Sequence, residues 1–250
     1  GYVAAAIGHE VHTYAMEPHA LTFRRPWDCA FVSSCLASQG STLVVGDAMH
    51  SLTVLTVAED GRLSESARDL HPYWTSAVCV LDEEQQRYLG TDVAMNLFVA
   101  ERAKGTEPES PWSHVMRHAA ACHVGDLVNA IHTLPGGRVM YATASGALGT
   151  LVHVPEPVAR VLLCVQDAMI EVVPAPGDIP WESWRTSRTD TRTEPPHHIL
   201  DADVLRFFVS DPSVRSPCLD KAGSLAQTRD IPMAEMAEDR ILQMLHALLS

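Results

Sequence analysis

The sequence predicts a mainly β chain, with the closing blades of a β-propeller over residues 1–155 and a small helical C-terminal domain over residues 156–250. Three stretches of the first part repeat one pattern of short apolar strands separated by Gly, Asp and Pro. A small residue recurs at the equivalent point of each stretch, as Gly46, Gly90 and Ala142. After Pro155 and Pro157 the apolar residues change to helical spacing.

The predicted strands follow the apolar runs within each repeat. Their segments are 29–36, 42–47, 51–57 and 62–68 in the first repeat, 76–81, 87–91 and 96–100 in the second, and 127–134, 138–143 and 148–152 in the third. Short antiparallel strands that recur about every 40–50 residues are typical of propeller blades.

An earlier, partial repeat at 3–7 and 11–16 resembles the last strands of one more blade. Propellers close with about four to eight blades, and an open arc leaves sheet edges bare. Because the chain also begins without Met, we expect it to be part of a longer protein that completes a WD40-like β-propeller upstream. A compact four-bladed ring is the alternative.

The second part is predicted to be helical. An apolar stripe predicts a helix over 158–172, which the prolines from Pro174 onward end. The segments 176–200 and 210–229 are predicted loops, and Asp201 is a predicted N-cap between them. The apolar residues of the short helix after this cap are Val204, Leu205 and Phe208. A terminal helix after Pro232 places one apolar face at Ala237, Ile241, Leu245 and Leu248.

The composition limits the function classes. Lys and Arg number 18 and Asp and Glu number 31, so the net charge is −13 and argues against a broad grip on phosphate backbone. The sequence predicts no membrane span and no signal peptide. Its six cysteines show no paired short spacing, which predicts reduced thiols in a nuclear or cytoplasmic protein.

Motifs of enzymes and cofactor sites are absent from the sequence. It contains no P-loop, no dinucleotide-binding glycine pattern, no His-Glu-x-x-His and no Gly-x-Ser-x-Gly. None of its histidine clusters has the ligand spacing of a zinc site; the nearest are His9 with His12, His118 with Cys122 and His123, and His197 with His198. We therefore expect a protein that is not an enzyme, with no cofactor and no metal site.

Two segments are candidates for contacts with macromolecules. Arg68, Tyr73 and Trp74 lie in a predicted loop between repeats, and aromatic residues with Arg are typical of interface hot spots. The alternative is that Trp74 packs under the next blade. The second segment contains Arg185, Arg188 and Arg192, which are candidate nucleic-acid contacts or, alternatively, parts of a structural loop with Arg stacked on Trp or paired with carboxylates.

Several segments resemble one known family. They are LVVGDAMHS at 43–51, ARDLHPYWTSAV at 67–78, NLFV at 96–99, HVGDLVN at 123–129, WR at 184–185, TEP at 193–195 and LDAD at 200–203. These segments are similar, in order along nearly the whole chain, to the large subunit of the damage-specific DNA-binding protein, the adaptor of a cullin–RING ubiquitin ligase. The wider family includes the large subunit of the cleavage and polyadenylation specificity factor and a splicing-factor subunit.

The resemblance implies an architecture and a set of partners. In the family, three propellers precede a helical C-terminal domain, and this chain corresponds to the last blades and that domain. The first and third propellers form a cleft that holds substrate-receptor proteins, including a damage-recognising small subunit. The middle propeller binds the cullin, so the resemblance implies that this chain alone does not recruit the ligase and that DNA is contacted indirectly. It also implies a nuclear and cytoplasmic location.

The resemblance also carries over individual positions. Arg68, Trp74 and Asn129 match residues of the receptor-binding cleft, and Tyr14 matches an aromatic residue in an earlier strand. Leu127 stands where the family has a larger aromatic residue, whereas His50 replaces an Arg and removes a fixed charge. The linker 103–111 diverges.

Two function classes remain open at this point. The first is a non-enzymatic scaffold in DNA repair and protein ubiquitination that docks substrate receptors. The second is a nucleic-acid-binding subunit of an RNA-processing complex. A hydrolase is a third, weaker hypothesis, since no nucleophile–base motif supports it.

Overall fold

The computed structural model describes residues 1–102 and 114–249, so the predicted linker 103–111 lies outside the described residues. The chain divides into two compact units, one containing all the large sheets and one containing the long helices. We expected one boundary at residue 155. The units divide instead between Leu151 and Val152, and the segment Arg185–His197 folds with the sheets.

The β unit is built from four antiparallel sheets of three or four strands, each ordered as a simple meander. The first sheet contains β1 (Tyr2–Ile7), β2 (Glu10–Glu17) and β3 (Ala20–Asp28), and the second contains β4 (Ser33–Gln39), β5 (Thr42–Asp47), β6 (Leu52–Val57) and β7 (Leu63–Arg68). The third contains β8 (Thr75–Asp82), β9 (Arg87–Asp92), β10 (Asn96–Arg102) and β11 (Met116–His123), and the fourth contains β12 (Val128–Thr133), β13 (Val139–Thr143) and β14 (Leu148–Leu151).

The sheets are arranged as successive blades. The first strands β4, β8 and β12 are neighbours in space, as the inner strands of a propeller are. The Ser34 hydroxyl donates to the Thr75 carbonyl at 2.6 Å, which joins the second sheet to the third. The predicted fold class, a mainly β partial propeller followed by a helical part, is confirmed.

Two strands escaped the sequence analysis for physical reasons. β3 is an edge strand that is mostly exposed and contains Pro26, so it lacks both the apolar alternation and the composition of an inner strand. β11 contains the run Ala119–Ala121, and alanine is a weak strand former. In both cases pairing with a neighbouring strand determines the structure more than the local sequence does.

The predicted small residues Gly46 and Gly90 allow close packing. A Cβ at Gly90 would overlap the ring of Phe98, which is 1 % exposed on the adjacent strand. A Cβ at Gly46 would overlap the side chains of Cys35 and Thr75. Glycine is therefore required in these strands because neighbouring side chains fill the space, and not because of a turn.

The second unit is a small helical assembly around one core. Its helices are α1 (Glu156–Val172), α3 (Ala202–Ser210), α4 (Arg215–Thr228) and α5 (Glu238–Leu249), with 3₁₀ turns at Pro176–Asp178, Pro212–Val214 and Met233–Met236 and a short helix α2 (Trp181–Arg185) at the border. The predicted apolar stripe of α1 is confirmed, since Val161, Leu162, Val165 and Met169 are buried. The carboxylate of Asp201 accepts from the backbone N–H of Asp203, which confirms the predicted N-cap.

The prediction of a loop over 210–229 is wrong, because α4 occupies most of it. The buried positions of α4 are small, namely Cys218, Ala222 and Ala226 at intervals of one helical turn. This face packs on α1 in the core of the unit. Small residues give a weak apolar stripe in the sequence, yet they let two helices approach closely.

The predicted loop over 176–200 also contains regular structure. Besides α2, it forms the hairpin of β15 (Ser187–Arg188) and β16 (Thr193–Glu194). His197 and Ala121 exchange backbone hydrogen bonds, which attaches this segment to β11. Within the described ranges, no helix is long and apolar enough to cross a lipid bilayer.

Candidate protein-docking surface

One hydrogen bond repeats where the first strand of each of the last three sheets begins. The backbone N–H of Ala48 donates to the carbonyl of Val32, that of Val93 donates to Trp74, and that of Ala144 donates to Leu127, at 2.8, 2.9 and 2.8 Å. Val32, Trp74 and Leu127 therefore hold equivalent places on successive sheets. Two of them were predicted from the sequence, whereas Val32 is identified only by this repeat. We name Val32, Trp74 and Leu127 the apolar row.

A β-bulge follows the apolar row in each sheet. The strand register shifts between Ser33 and Cys35, between Thr75 and Ala77, and between Val128 and Ala130. The extra residues are Ser34, Ser76 and Asn129, each two positions after a member of the apolar row. Asn129 is exposed. A bulge changes the direction of a side chain and bends its strand. The predicted Asn129 is therefore the bulge residue two positions after Leu127, and its side chain departs from the regular alternation of the strand.

Buried aspartates hold the turns that face the apolar row. Asp47 is 3 % exposed and accepts from the backbone N–H groups of Phe31, Met49 and His50 at 2.8, 2.8 and 3.1 Å. In the next sheet Asp92 accepts from the backbone and side-chain N–H groups of Asn96, both at 2.9 Å. Burial raises the pKa of Asp92 despite these donors. The two carboxylates thus replace water as acceptors for turn N–H groups.

The resulting surface exposes several large apolar side chains. Trp74 is 53 % exposed, so the alternative in which it packs under the next blade does not hold. Val32 of the apolar row is also exposed, as are Phe31, Met49 and Val93 of the adjoining turns. Tyr73, by contrast, is buried, with its ring 5.1 Å from that of Phe98. The loop before β8 is therefore anchored by Tyr73 and presents Trp74.

Arg68 ends β7, just before this loop. Its Nη2 lies 2.6 Å from Oε2 of Glu65, and both side chains are about one-third exposed (35 % and 33 %). Its Nε is buried and has no hydrogen-bond partner among the residues that the structure describes. A partner's carboxylate would therefore compete with Glu65 for the guanidinium. His50 is exposed in the turn held by Asp47.

Tyr14 lies apart from the apolar row. It is half-buried in β2, on the face of the first sheet opposite to Val11, which packs against the second sheet. Its ring lies 5.7 Å from that of Phe23, and its hydroxyl lies 3.3 Å from Nδ1 of His12. Tyr14 therefore belongs to an aromatic patch of its own on the first sheet.

The three predicted nucleic-acid contacts lie along one short segment, with Arg185 at the end of α2, Arg188 in β15 and Arg192 just before β16. The backbone of Arg188 is held by Asn96, whose Oδ1 accepts from its N–H at 3.2 Å and whose Nδ2 donates to its carbonyl at 3.0 Å. Arg192 pairs with Glu194 across the hairpin. Burial lowers the pKa of His123, the charge of Asp92 opposes this shift, and the charges of Arg188 and Arg185 add to it.

The loop between β7 and β8 is held by a buried cluster of Asp69, His71 and His118, which no sequence pattern predicted. Asp69 is 1 % exposed and accepts from Nδ1 of His71 at 2.6 Å, from Nε2 of His118 at 2.8 Å and from the Ser51 hydroxyl at 2.6 Å. Burial raises the pKa of Asp69, but the hydrogen bonds and charges of His118 and His71 outweigh burial and hold the pKa well below its usual range. His118 is 49 residues from Asp69 in the sequence, so only the fold brings them together.

The fold and this surface define a class of protein, one built from propeller-type sheets with an apolar row at the strand starts and a helical C-terminal part. Comparison with known proteins agrees. Residues 1–210 match the family described as the CPSF A subunit region, and the chain belongs to this family.

Relatives of the chain include several proteins named DNA damage-binding protein 1. The protein from Drosophila melanogaster is 28 % identical over 70 % of this chain and 16 % of its own length. Those from Arabidopsis thaliana (1b) and Solanum lycopersicum are 28 % and 26 % identical over 69 % and 90 % of this chain, and over 17 % and 22 % of their own lengths. The chain therefore spans about one-fifth of the length of the relatives it matches, and the resemblance seen in the sequence is confirmed.

Proposed function

We propose that this chain forms part of a non-enzymatic adaptor that docks substrate-receptor proteins in DNA repair and protein ubiquitination. The apolar row is the observation that carries the proposal. Trp74 and Val32 are exposed and Leu127 is half-buried. These apolar side chains lie at equivalent places on successive sheets and form a rigid surface, because the bulges, and in two of the sheets a buried carboxylate, fix the backbone around them. The names of the relatives, DNA damage-binding protein 1, support the same assignment and a nuclear location.

The proposed partner is a helical segment of a receptor, such as the damage-recognising small subunit. An amphipathic helix supplies apolar anchors along one face for Trp74 and Leu127. An acidic residue beside these anchors would pair with Arg68, and an amide or hydroxyl would pair with Asn129. The cullin is expected to bind elsewhere in a longer parent protein, and Tyr14 is expected to contact the receptor separately from the apolar row.

Binding of the damage-recognising small subunit to the natural protein that contains this chain tests the proposal. Trp and Arg are the residues with the largest effects at interfaces, so the pair Trp74→Ala and Arg68→Ala should weaken binding by about 100-fold or more, measured by surface plasmon resonance. Leu148→Ala is the matched control, since Leu148 is 73 % exposed and lies outside the apolar row. Unchanged affinity of the double variant, with the same circular dichroism spectrum as wild type, contradicts the proposal.

The alternative function is a nucleic-acid-binding subunit of an RNA-processing complex. It draws on Arg185 and Arg188, whose positive charges both lower the pKa of His123. The net charge of −13 and the pairing of Arg192 with Glu194 favour the adaptor.

A further inference from the structure

We propose that Asp69, His71 and His118 form a binding site for a divalent transition-metal ion of the zinc type. The three side chains supply two imidazole nitrogens and one carboxylate, a ligand set that zinc uses in proteins. Their ligand atoms all lie within 4.8 Å of one another. The sequence analysis expected no metal site, because the ligands come from a loop and from a distant strand and so have no recognisable spacing.

The present distances are compatible with a small rearrangement around an ion. Ligand atoms at about 2.0–2.2 Å from a tetrahedral zinc ion lie roughly 3.4 Å from one another. The carboxylate oxygens of Asp69 lie 2.6 Å from Nδ1 of His71 and 2.8 Å from Nε2 of His118. Each pair must therefore separate by less than about 1 Å. His71 can make this movement, because it lies in a loop and its side chain is 25 % exposed.

The surroundings orient the ligands and leave a route to solvent. The Ser51 hydroxyl donates to Oδ2 of Asp69, and such a bond to a ligating carboxylate is typical of metal sites. The rings of His71 and His118 stack with centroids 4.0 Å apart, and each has one nitrogen within hydrogen-bond distance of the Asp69 carboxylate. Asp69 and His118 are nearly inaccessible (0 % and 6 % for the side chains), whereas the partly exposed His71 connects the site to solvent.

Hydrogen bonding alone leaves the cluster incomplete. Nδ1 of His118 is buried and lacks a hydrogen-bond partner within the part of the chain that the structure describes. His118 is therefore hydrogen-bonded through Nε2 alone among the described residues, and Nε2 is the nitrogen available to a metal beside Asp69. When a metal binds the nitrogens that face Asp69, a neutral ring moves its single proton to the other nitrogen and releases none, whereas a doubly protonated ring releases one proton.

Titration with Co²⁺ tests the site, because Co²⁺ occupies zinc sites and reports tetrahedral coordination by visible d–d absorption. The purified full chain is first freed of metal with EDTA and exchanged into buffer. We expect one equivalent of Co²⁺ to produce the band and Zn²⁺ to abolish it. His71→Ala should weaken Co²⁺ binding by about 100-fold, and His118→Gln should do the same, with circular dichroism to show that each variant is folded.

Two controls separate this site from other possibilities. His9→Ala removes a ligand of an exposed group formed by His9, Glu10 and Asp28, and it should leave the Co²⁺ band unchanged. Trp74→Ala should also leave the band unchanged, which keeps the metal site distinct from the docking surface. No band in the wild-type chain, a band that persists in folded His71→Ala, or a band lost in His9→Ala would each overturn the proposal.

Discussion

At the scale of single residues, buried charges in the sheets are stabilised by partners that strand pairing supplies. Glu101 in β10 lies opposite Arg87 of β9 and Arg117 of β11 in the strand register. Its Oε1 lies 2.6 Å from Nη2 of Arg117, and its Oε2 lies 3.1 Å from Nε of Arg87. Glu101 itself is 4 % exposed. A buried carboxylate is thus neutralised from both sides by cross-strand pairs.

The arrangement predicts a pH-dependent contribution to stability. Burial raises the pKa of Glu101, but the hydrogen bonds and charges of Arg117 and Arg87 outweigh burial, and the net pKa is lowered. A carboxyl group whose pKa is lower in the folded state stabilises the fold above its unfolded pKa, and this stabilisation is lost as the pH falls through the folded pKa. Glu101→Gln, which cannot titrate, should therefore be less stable than wild type at pH 7 by about 1–2 kcal/mol.

Urea unfolding of wild type and Glu101→Gln at a series of pH values checks this prediction. The difference in unfolding free energy should shrink as the pH falls below about 4.5, the ordinary range for a glutamate. Glu84→Gln, at an exposed turn position, serves as the control and should follow wild type throughout. A difference for Glu101→Gln that stays constant down to the acid transition would show that the carboxylate contributes no charge-dependent stability.

At the scale of secondary-structure elements, close contacts between small residues are as important as large apolar faces. The face of α4 that packs on α1 contains Cys218, Ala222 and Ala226, all 0 % exposed. The sequence predicted α1 and α3 because their buried residues are large and regularly spaced. It could not predict α4, because alanine and cysteine at helical spacing give little contrast with the exposed residues between them. Small residues likewise hid β11 with its alanine run, whereas β3 was hidden because it is an exposed edge strand that contains Pro26.

The packing of α4 gives a direct test at this scale. Ala222→Leu inserts a larger side chain into a filled contact and should destabilise the chain by about 1–3 kcal/mol. Ser224→Leu is the matched control, since Ser224 is exposed on the same helix. It should change the stability by less than about 0.5 kcal/mol. Chemical denaturation followed by circular dichroism measures both, and equal stabilities for the two variants would show that the α1–α4 contact is loosely packed.

At the scale of the whole molecule, the residues of the docking surface differ in how well the sequence could reveal them. Trp74 and Arg68 were predicted from residue type and loop position, and Leu127 and Asn129 from the resemblance to a family. Val32 could be recognised only from the hydrogen bond that repeats across the sheets. Residue type and resemblance to a family can suggest which residues form a binding surface. Only the three-dimensional structure shows which of them lie together on it.

The charge of the whole molecule leads to a prediction about DNA. The net charge is −13, and Arg192 is already paired with Glu194, so the chain offers few cations for phosphate groups. We expect the purified chain to bind damaged duplex DNA only weakly at physiological salt, despite the names of its relatives. Replacing Arg185, Arg188 and Arg192 by Ala should change that weak binding by less than about threefold, since each lost phosphate contact contributes little where counterion release is small.

Fluorescence anisotropy with labelled damaged and undamaged duplexes at 50 and 200 mM salt measures this binding. Nucleic-acid binding through several phosphate contacts falls by about 10³-fold or more over this range of salt, whereas docking of a receptor through the apolar row should change much less. The control variant replaces Arg24, Arg25 and Arg62 by Ala, which removes the same charge from exposed positions elsewhere on the β unit. Tight, salt-dependent binding that the first triple variant loses and the control keeps would favour the RNA-processing or direct DNA-binding alternative. In that case Arg185, Arg188 and Arg192, and not the apolar row, would form the main binding surface of the chain.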